Sequence, residues 1–201
     1  MKNLATTDDG ETATGDDVEN CRRRHHRIRK TCQRTGTKRA QRKLHKARMR
    51  EARFRANQNH IISKRLVAKA QDTGKSIACE DLAGIRGRTT ARQAQRSRLA
   101  GWAFYQLRTF ISSKAALAGV PVIPVDPRDT SRTCSECGHC AKKNRKSRDE
   151  FECRPCGFKL DADWNAARNI RDRAAVMRPI VGVVDAGPRK SGKDYWQAAP
   201  R

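Results

Sequence analysis

Residues 134–170 read CSECGHCAKKNRKSRDEFECRPCGFKLDADWNAARNI. Two Cys-x-x-Cys knuckles, Cys134/Cys137 and Cys153/Cys156, are separated by 15 mostly basic and polar residues. Two residues between cysteines let one tight turn aim both sulfurs at a single ion. The insert then brings the second turn across to complete a tetrahedral set of thiolates, at about 2.3 Å from Zn²⁺. The spacing falls within the Cys-x₂-Cys-x₁₅₋₂₀-Cys-x₂-Cys zinc pattern. Gly138 and Gly157 follow the knuckles and suit the positive φ such turns need. Two disulfides or four free thiols are the alternative, which a reducing compartment disfavours. His139 and Cys140 stand close enough to substitute as ligands, but Cys134/Cys137 are the pair that matches the second knuckle.

The segment after the second knuckle is helical. Asp163, Ala166, Ala167 and Ile170 stand at i, i+3, i+4 and i+7 and share one face. A carboxylate in a first helical turn ordinarily caps free backbone N–H groups. Spacing alone assigns Asp163 to that role, with Asp161 as the other candidate cap.

The 201 residues suit one ordinary domain plus a small module. Lys and Arg outnumber Asp and Glu by 45 to 21, for a net charge of +24 and a sequence pI near 10.7. Such excess points to a polyanion, and nucleic acid is the expected partner. No apolar run approaches the roughly 18 residues of a membrane span, and the N-terminus lacks a secretory pattern. A soluble intracellular protein is expected.

Residues 1–17 read as a strand, a DDG turn and a second strand, made acidic by Asp8, Asp9, Glu11, Asp16 and Asp17. Residues 18–70 read as a basic helical hairpin broken at Gly36. One thin stripe carries Val18, Cys21, His25, Ile28 and Cys32. The other carries Ala40, Leu44, Ala47, Phe54, Ile61, Ile62 and Leu66. Cys21 and Cys32 fit small core residues. Between Cys21 and Ala70 there are 19 Lys/Arg against one acid, Glu51, a bias better explained by phosphate contact than by a solvated face.

Residues 76–126 read as strand, helix, strand. Ile77, Ala78 and Cys79 form a buried strand that delivers Glu80 at its C-terminal end, where α/β sheets place chemistry. Residues 84–98 suggest a mobile basic loop. Leu99, Trp102, Ala103, Leu107, Phe110 and Ile111 mark an amphipathic helix ended by Gly119, and VPVIPVD follows as an edge strand parallel to the first. The remainder divides into a zinc ribbon over 130–158, a last helix within 159–176 and a flexible tail over 177–201, where IVGVV could form a strand.

The segments CEDLAGIRGR, GWAFYQLRTFISSKAALAGVPVIPVDPRDTSRTCSECG and ECRPCGFKLDADWNAARNI resemble the TnpB/OrfB proteins of insertion sequences, relatives of the type V CRISPR nucleases, in order over residues 1–170. The resemblance implies an α/β, RNase H-like (RuvC) fold with an inserted basic helical hairpin and a zinc ribbon ahead of its last helix. It also implies RNA-guided DNA cleavage, with guide RNA and DNA as partners and three carboxylates holding Mg²⁺. Glu80 in CEDL matches the family's middle carboxylate and Asp163 in DADWNAA the last, which reassigns Asp163 from capping to catalysis. The family's first catalytic Asp lies ahead of the segment that NLAT resembles. The fold is therefore expected to be incomplete at the N-terminus, with two of three ligands and without the guide-binding domains. Asp8 and Asp9, in the turn after the strand, are not expected to substitute.

A weak or inactive nuclease follows. The alternative from another class is a non-catalytic zinc-ribbon regulator or accessory protein that binds nucleic acid. The contacts expected in either case are Arg22, Arg23, Arg24, Arg27, Lys38, Arg39, Arg42 and Lys43 on the hairpin, with Lys142, Lys143 and Arg145 in the ribbon insert.

Overall fold

A computed structural model describes residues 3–81 and 104–177. The expected basic loop, the start of the helix at Leu99, Trp102 and Ala103, and the tail with IVGVV lie outside the described residues.

Asn3–Thr6 (β1) and Thr12–Thr14 (β2) pair antiparallel, with an irregularity between Asn3 and Ala5. Gly10, at φ +87°, closes the turn, and a Cβ there would also stand 3.1 Å from the Trp164 ring. The positive φ favours glycine there, and any side chain would also press on the Trp164 ring.

Asp16–Thr35 (α1) and Lys38–Asp72 (α2) form the helical hairpin. Asp16, Asp17 and Glu19 place negative charge in the first turn of α1, where the helix dipole favours it. Gly36 ends α1 in the left-handed conformation, and the Thr37 hydroxyl then caps α2 through the Ala40 amide at 3.2 Å. At 1.5 Å per residue α2 is about 52 Å long. Its N-terminal part and α1 touch through small groups, with Cys32, Ala40 and Ala47 buried.

The apolar stripe expected on α2 is only partly the buried one. Ile61 is 53% exposed, and Leu44, Phe54 and Leu66 are half-buried. The face turned inward runs through Asn59, Ile62, Ser63, Val67 and Ala70, because this half of α2 packs on the helix Phe104–Leu117 (α3). Polar side chains there are matched across the interface. Asn59 Nδ2 donates to Gln106 Oε1 at 3.0 Å, and Lys114 Nζ reaches His60 O at 2.7 Å.

Glu51 is the other polar residue buried on α2, 8% exposed, and Arg29 of α1 meets it at 3.4 Å. One carboxylate thus sits inside a hairpin otherwise full of cations. Glu51→Ala is expected to destabilise the chain by about 1–2 kcal/mol, as loss of a partly buried charged partner does. The loss should grow at low salt, where repulsion among the arginines is least screened. Thermal melts at two ionic strengths check this, and an unchanged melting temperature at both refutes it.

Ile77–Glu80 (β3) and Val122–Val125 (β4) run parallel, with Glu80 opposite Val125. Leu4 of β1, Ile62, Leu107 and Ile111 form one buried cluster, against which Ile77 and Val122 pack. Val67, Ala70, Ala115 and Val120 form a second. Among the described residues the strands make three separate two-stranded sheets rather than one continuous sheet.

The cysteine ribbon adds Glu150–Glu152 (β5), antiparallel to Lys159–Asp161 (β6), and leads into Ala162–Val176 (α4). Its small core is Cys134, Phe151, Cys153 and Ala162, with Phe158 packed against it. Asp161 is the cap of α4. Its Oδ1 accepts from the amides of Asp163 at 2.9 Å and Trp164 at 3.1 Å. Capping by Asp163, the reading from spacing alone, is therefore corrected, and its carboxylate is left for other work.

Candidate metal centre and carboxylate cavity

Each knuckle is a turn closed on itself. The amide of Gly138 donates to Cys134 O at 2.9 Å and that of Gly157 to Cys153 O at 3.0 Å, with φ of +73° and +72° at the two glycines. The turns face one another, so the close sulfur pairs are crossed between knuckles. Cys134 Sγ lies 3.7 Å from Cys156 Sγ, and Cys137 Sγ 3.5 Å from Cys153 Sγ. Four thiolates around one ion at about 2.3 Å stand about 3.8 Å apart, so the quartet fits a tetrahedral site. All eight cysteines are free of disulfides. Burial pushes the Cys153 thiol up to about 12, opposed by the Cys156 amide and reinforced by the neighbouring thiols. A cation among the sulfurs removes that penalty. Cys140 is exposed and outside the quartet.

Glu80 and Asp163 line a single cavity of about 400 Å³, together with Thr6, Thr130, Ser131, Arg145 and the small face Ala166, Ala167 and Ile170 of α4. β3 brings Glu80 there by ending at it, and β6 brings Asp163 by starting α4 just ahead of it. Thr130 Oγ1 donates to Glu80 Oε1 at 2.9 Å. Asn3 Nδ2 donates to Asp163 Oδ2 at 3.1 Å, and Arg145 Nη2 lies 3.6 Å from Asp163 Oδ1. Burial raises the Glu80 carboxyl above its ordinary range. Thr130 and then Arg173 oppose that shift, while the Asp163 charge adds to it. The Thr6 hydroxyl, on the same wall, has no hydrogen-bond partner among the described residues. Hard oxygens, a carboxylate held against its preference and an orphaned hydroxyl fit a hard divalent cation. Among the described residues the cysteines are the one group of three or more potential ligands that can reach a single ion. Among the described residues the cavity has two carboxylates, Glu80 and Asp163. Asp9 is turned to Lys69 and Asp8 faces Arg171 at 3.7 Å, and neither lines the cavity.

The basic residues divide into three groups. Arg22 grips Glu19 through Nε at 2.8 Å and Nη2 at 2.7 Å, and Arg23 reaches the same carboxylate at 3.2 Å. Arg24, Arg27, Lys38, Arg39, Arg42 and Lys43 are exposed along the hairpin, and Lys142 and Lys143 are exposed on the ribbon. Arg145 is turned inward, its guanidinium fixed by Ser147 O at 3.3 Å and Arg148 O at 2.7 Å.

The family model described as "Cas12f1-like, TNB domain" matches residues 104–170. The CRISPR-associated endodeoxyribonuclease Cas12f1 of Sulfoacidibacillus thermotolerans is 35% identical over 120 residues, 59% of this chain and 27% of the relative. The Cas12f1 of Syntrophomonas palmitatica is 36% identical over 150 residues, 74% of this chain and 29% of the relative. By sequence the chain is a relative of the TnpB-like, Cas12f-type proteins. The fold agrees. A Cas12f1–sgRNA–target DNA complex superposes with a TM-score of 0.63 at 22% identity, over 80% of this chain and 43% of that one. A CRISPR-Cas12f ternary complex gives 0.62 at 23%, over 80% and 34%. The chain thus spans less than a third of the length of these curated relatives.

Within this Cas12f-related chain the motifs of the sequence do not single out the polar residues that join ribbon to cavity. Asn144, fully buried, donates to Arg132 O at 3.1 Å and His139 O at 3.0 Å and accepts from the Arg154 amide at 3.3 Å. Asn165, Asn169 and Thr130 are buried too. The signal that could have found two of them is the repeat Asn165, Asn169 at i, i+4, which puts two polar amides on one face of α4.

Proposed function

We propose that this chain is the nuclease-and-ribbon part of a transposon-encoded, RNA-guided DNA endonuclease with an RNase H-like (RuvC) core, and that it acts on DNA with a guide RNA as second partner in the prokaryotic cytoplasm. One observation carries the reading. Glu80 at the end of β3 and Asp163 in the first turn of α4, far apart in sequence, line the same cavity. Cys134, Cys137, Cys153 and Cys156 hold a structural Zn²⁺, and Glu80 and Asp163 hold Mg²⁺.

A divalent ion bound there supplies a polarised phosphoryl oxygen and an activated water. The chain's own residues prepare that place. Thr130 orients the Glu80 carboxylate, Asn3 orients that of Asp163, and Arg145 presents a fixed guanidinium suited to a phosphate oxygen. Among the described residues the cavity has two carboxylates, one fewer than the family resemblance implies, and cleavage by this chain alone is expected to be weak or absent.

The expected result is Mn²⁺ binding that depends on both carboxylates. Glu80→Gln or Asp163→Asn should weaken it by more than the about 10–100-fold that loss of outer-shell partners costs. Equal Mn²⁺ binding by wild type and both variants would sink the assignment. It would favour the second reading, a non-catalytic nucleic-acid-binding regulator or accessory protein, to which the two cavity carboxylates found among the described residues also incline.

A further inference from the structure

Asn165 and Asn169 stand one turn apart on α4, and their side-chain amides hydrogen-bond to one segment, residues 130–135. Asn165, fully buried, donates through Nδ2 to Thr133 O at 2.8 Å and accepts from the Ser135 amide at 3.1 Å. One side chain thereby pins the chain on both sides of Cys134. Asn169, 6% exposed, donates to Thr130 O at 2.8 Å and to Thr133 O at 2.7 Å. Thr130 itself is 2% exposed. Its single hydroxyl proton has two acceptors, Glu80 Oε1 at 2.9 Å and Pro127 O at 3.1 Å.

Buried asparagines that satisfy a loop backbone are ordinary structural devices. The destination of these bonds sets them apart. α4 carries Asp163 directly, and through Asn169 and Thr130 it also fixes the residue that holds Glu80. Resting on the reading of Glu80 and Asp163 as a metal site, we propose that Asn169 and Thr130 form a positioning relay. Through it α4 sets the separation of the two carboxylates, while Asn165 anchors the same segment to the first cysteine knuckle. The ribbon is then a brace for the cavity as well as a module of its own. Both are read as positioning residues, because the Thr130 hydroxyl bonds to Glu80 and Pro127 and the Asn169 amide to backbone carbonyls.

The test uses the full chain with its cysteine site loaded, and follows Mn²⁺ by paramagnetic broadening of amide signals near Asp163. Thr130→Val removes the hydroxyl at nearly constant volume, and Thr130→Ser restores it. Thr130→Val should weaken Mn²⁺ binding by about tenfold, the lower end of the range for outer-shell partners. Its cysteine-site metal content should stay at the wild-type level, and Thr130→Ser should bind like wild type. Asn169→Ala should produce a similar loss, and the double variant Thr130→Val/Asn169→Ala no more than either alone. Wild-type Mn²⁺ binding by Thr130→Val would overturn the relay, and so would equal losses in Thr130→Ser and Thr130→Val. Because the Thr130 variants decide the matter by themselves, the decision survives if Asn169→Ala fails to fold. Glu80→Gln separates the two levels of inference. Broadening that Glu80→Gln leaves unchanged removes the metal site and the relay with it, whereas broadening lost in Glu80→Gln but kept in Thr130→Val removes the relay alone.

Discussion

Chelating the metal of the cysteine quartet, or replacing Cys153 by Ser, is expected to unfold the ribbon and to loosen the start of α4 with it. The reason is the size of what remains. Without the ion the ribbon has two three-residue strands and a core of Phe151, Ala162 and two thiols, with Phe158 beside it. A module this small does not bury enough apolar surface to fold on its own. Structural zinc in small zinc-finger peptides supplies about 10–16 kcal/mol of apparent binding free energy near neutral pH, and that energy becomes folding energy. The effect should pass to α4 through Asn165 and Asn169, which hold the Thr133 carbonyl beside Cys134. Cys140→Ser is the control, since that thiol is exposed and outside the quartet. Far-UV circular dichroism and metal release should both respond to Cys153→Ser and neither to Cys140→Ser. Equal behaviour of the two variants would mean that the four sulfurs do not act as one site.

What is legible in the sequence is whatever depends on local spacing. Cys-x-x-Cys repeats, Gly36 between two basic stripes, and an apolar run ending at Glu80 each carry their meaning within a few residues. The quartet, the helical hairpin and the parallel pairing of β3 with β4 all have that character. What escapes depends on which face of an element meets another. Ile61 and Ile62 are alike in composition, yet only Ile62 turns toward α3. Asp161 and Asp163 are both acids at a helix start, and spacing favours the wrong one as the cap. The geometry that separates them is an extended Asp161, φ −60° and ψ +136°, whose side chain folds back onto two amides. In the sequence Arg145 groups with Lys142 and Lys143 as a surface cation. Two backbone carbonyls instead turn it into the carboxylate cavity.

The affinity of the chain for nucleic acid is expected to collapse as salt rises, and the slope should be set by the hairpin. A surface that neutralises 6–10 phosphates loses about 10³–10⁵ in affinity between 50 and 200 mM salt, because each neutralised phosphate releases condensed counterions. The exposed cations of α1 and α2 are the largest supply among the described residues, and they are not equivalent. Arg24, Arg27, Arg39 and Arg42 are exposed, whereas Arg22 and Arg23 lean on Glu19, whose carboxyl Arg22 in particular holds down to about 2. Replacing the first four by Ala should lower the slope of log K against log salt by roughly 3 to 4, at about 0.9 for every duplex phosphate that is no longer neutralised. Replacing Arg22 and Arg23 should change it less, because those guanidinium groups already have an anion. Filter binding or fluorescence anisotropy at four salt concentrations gives the slopes. An unchanged slope in the fourfold variant would move the phosphate-binding surface off the hairpin, and Lys142 and Lys143 on the ribbon would be the next pair to remove. A reduced slope confined to the fourfold variant would make the thin, small-residue packing of α1 on the N-terminal half of α2 intelligible: it keeps two helices side by side while leaving their outer faces to basic side chains.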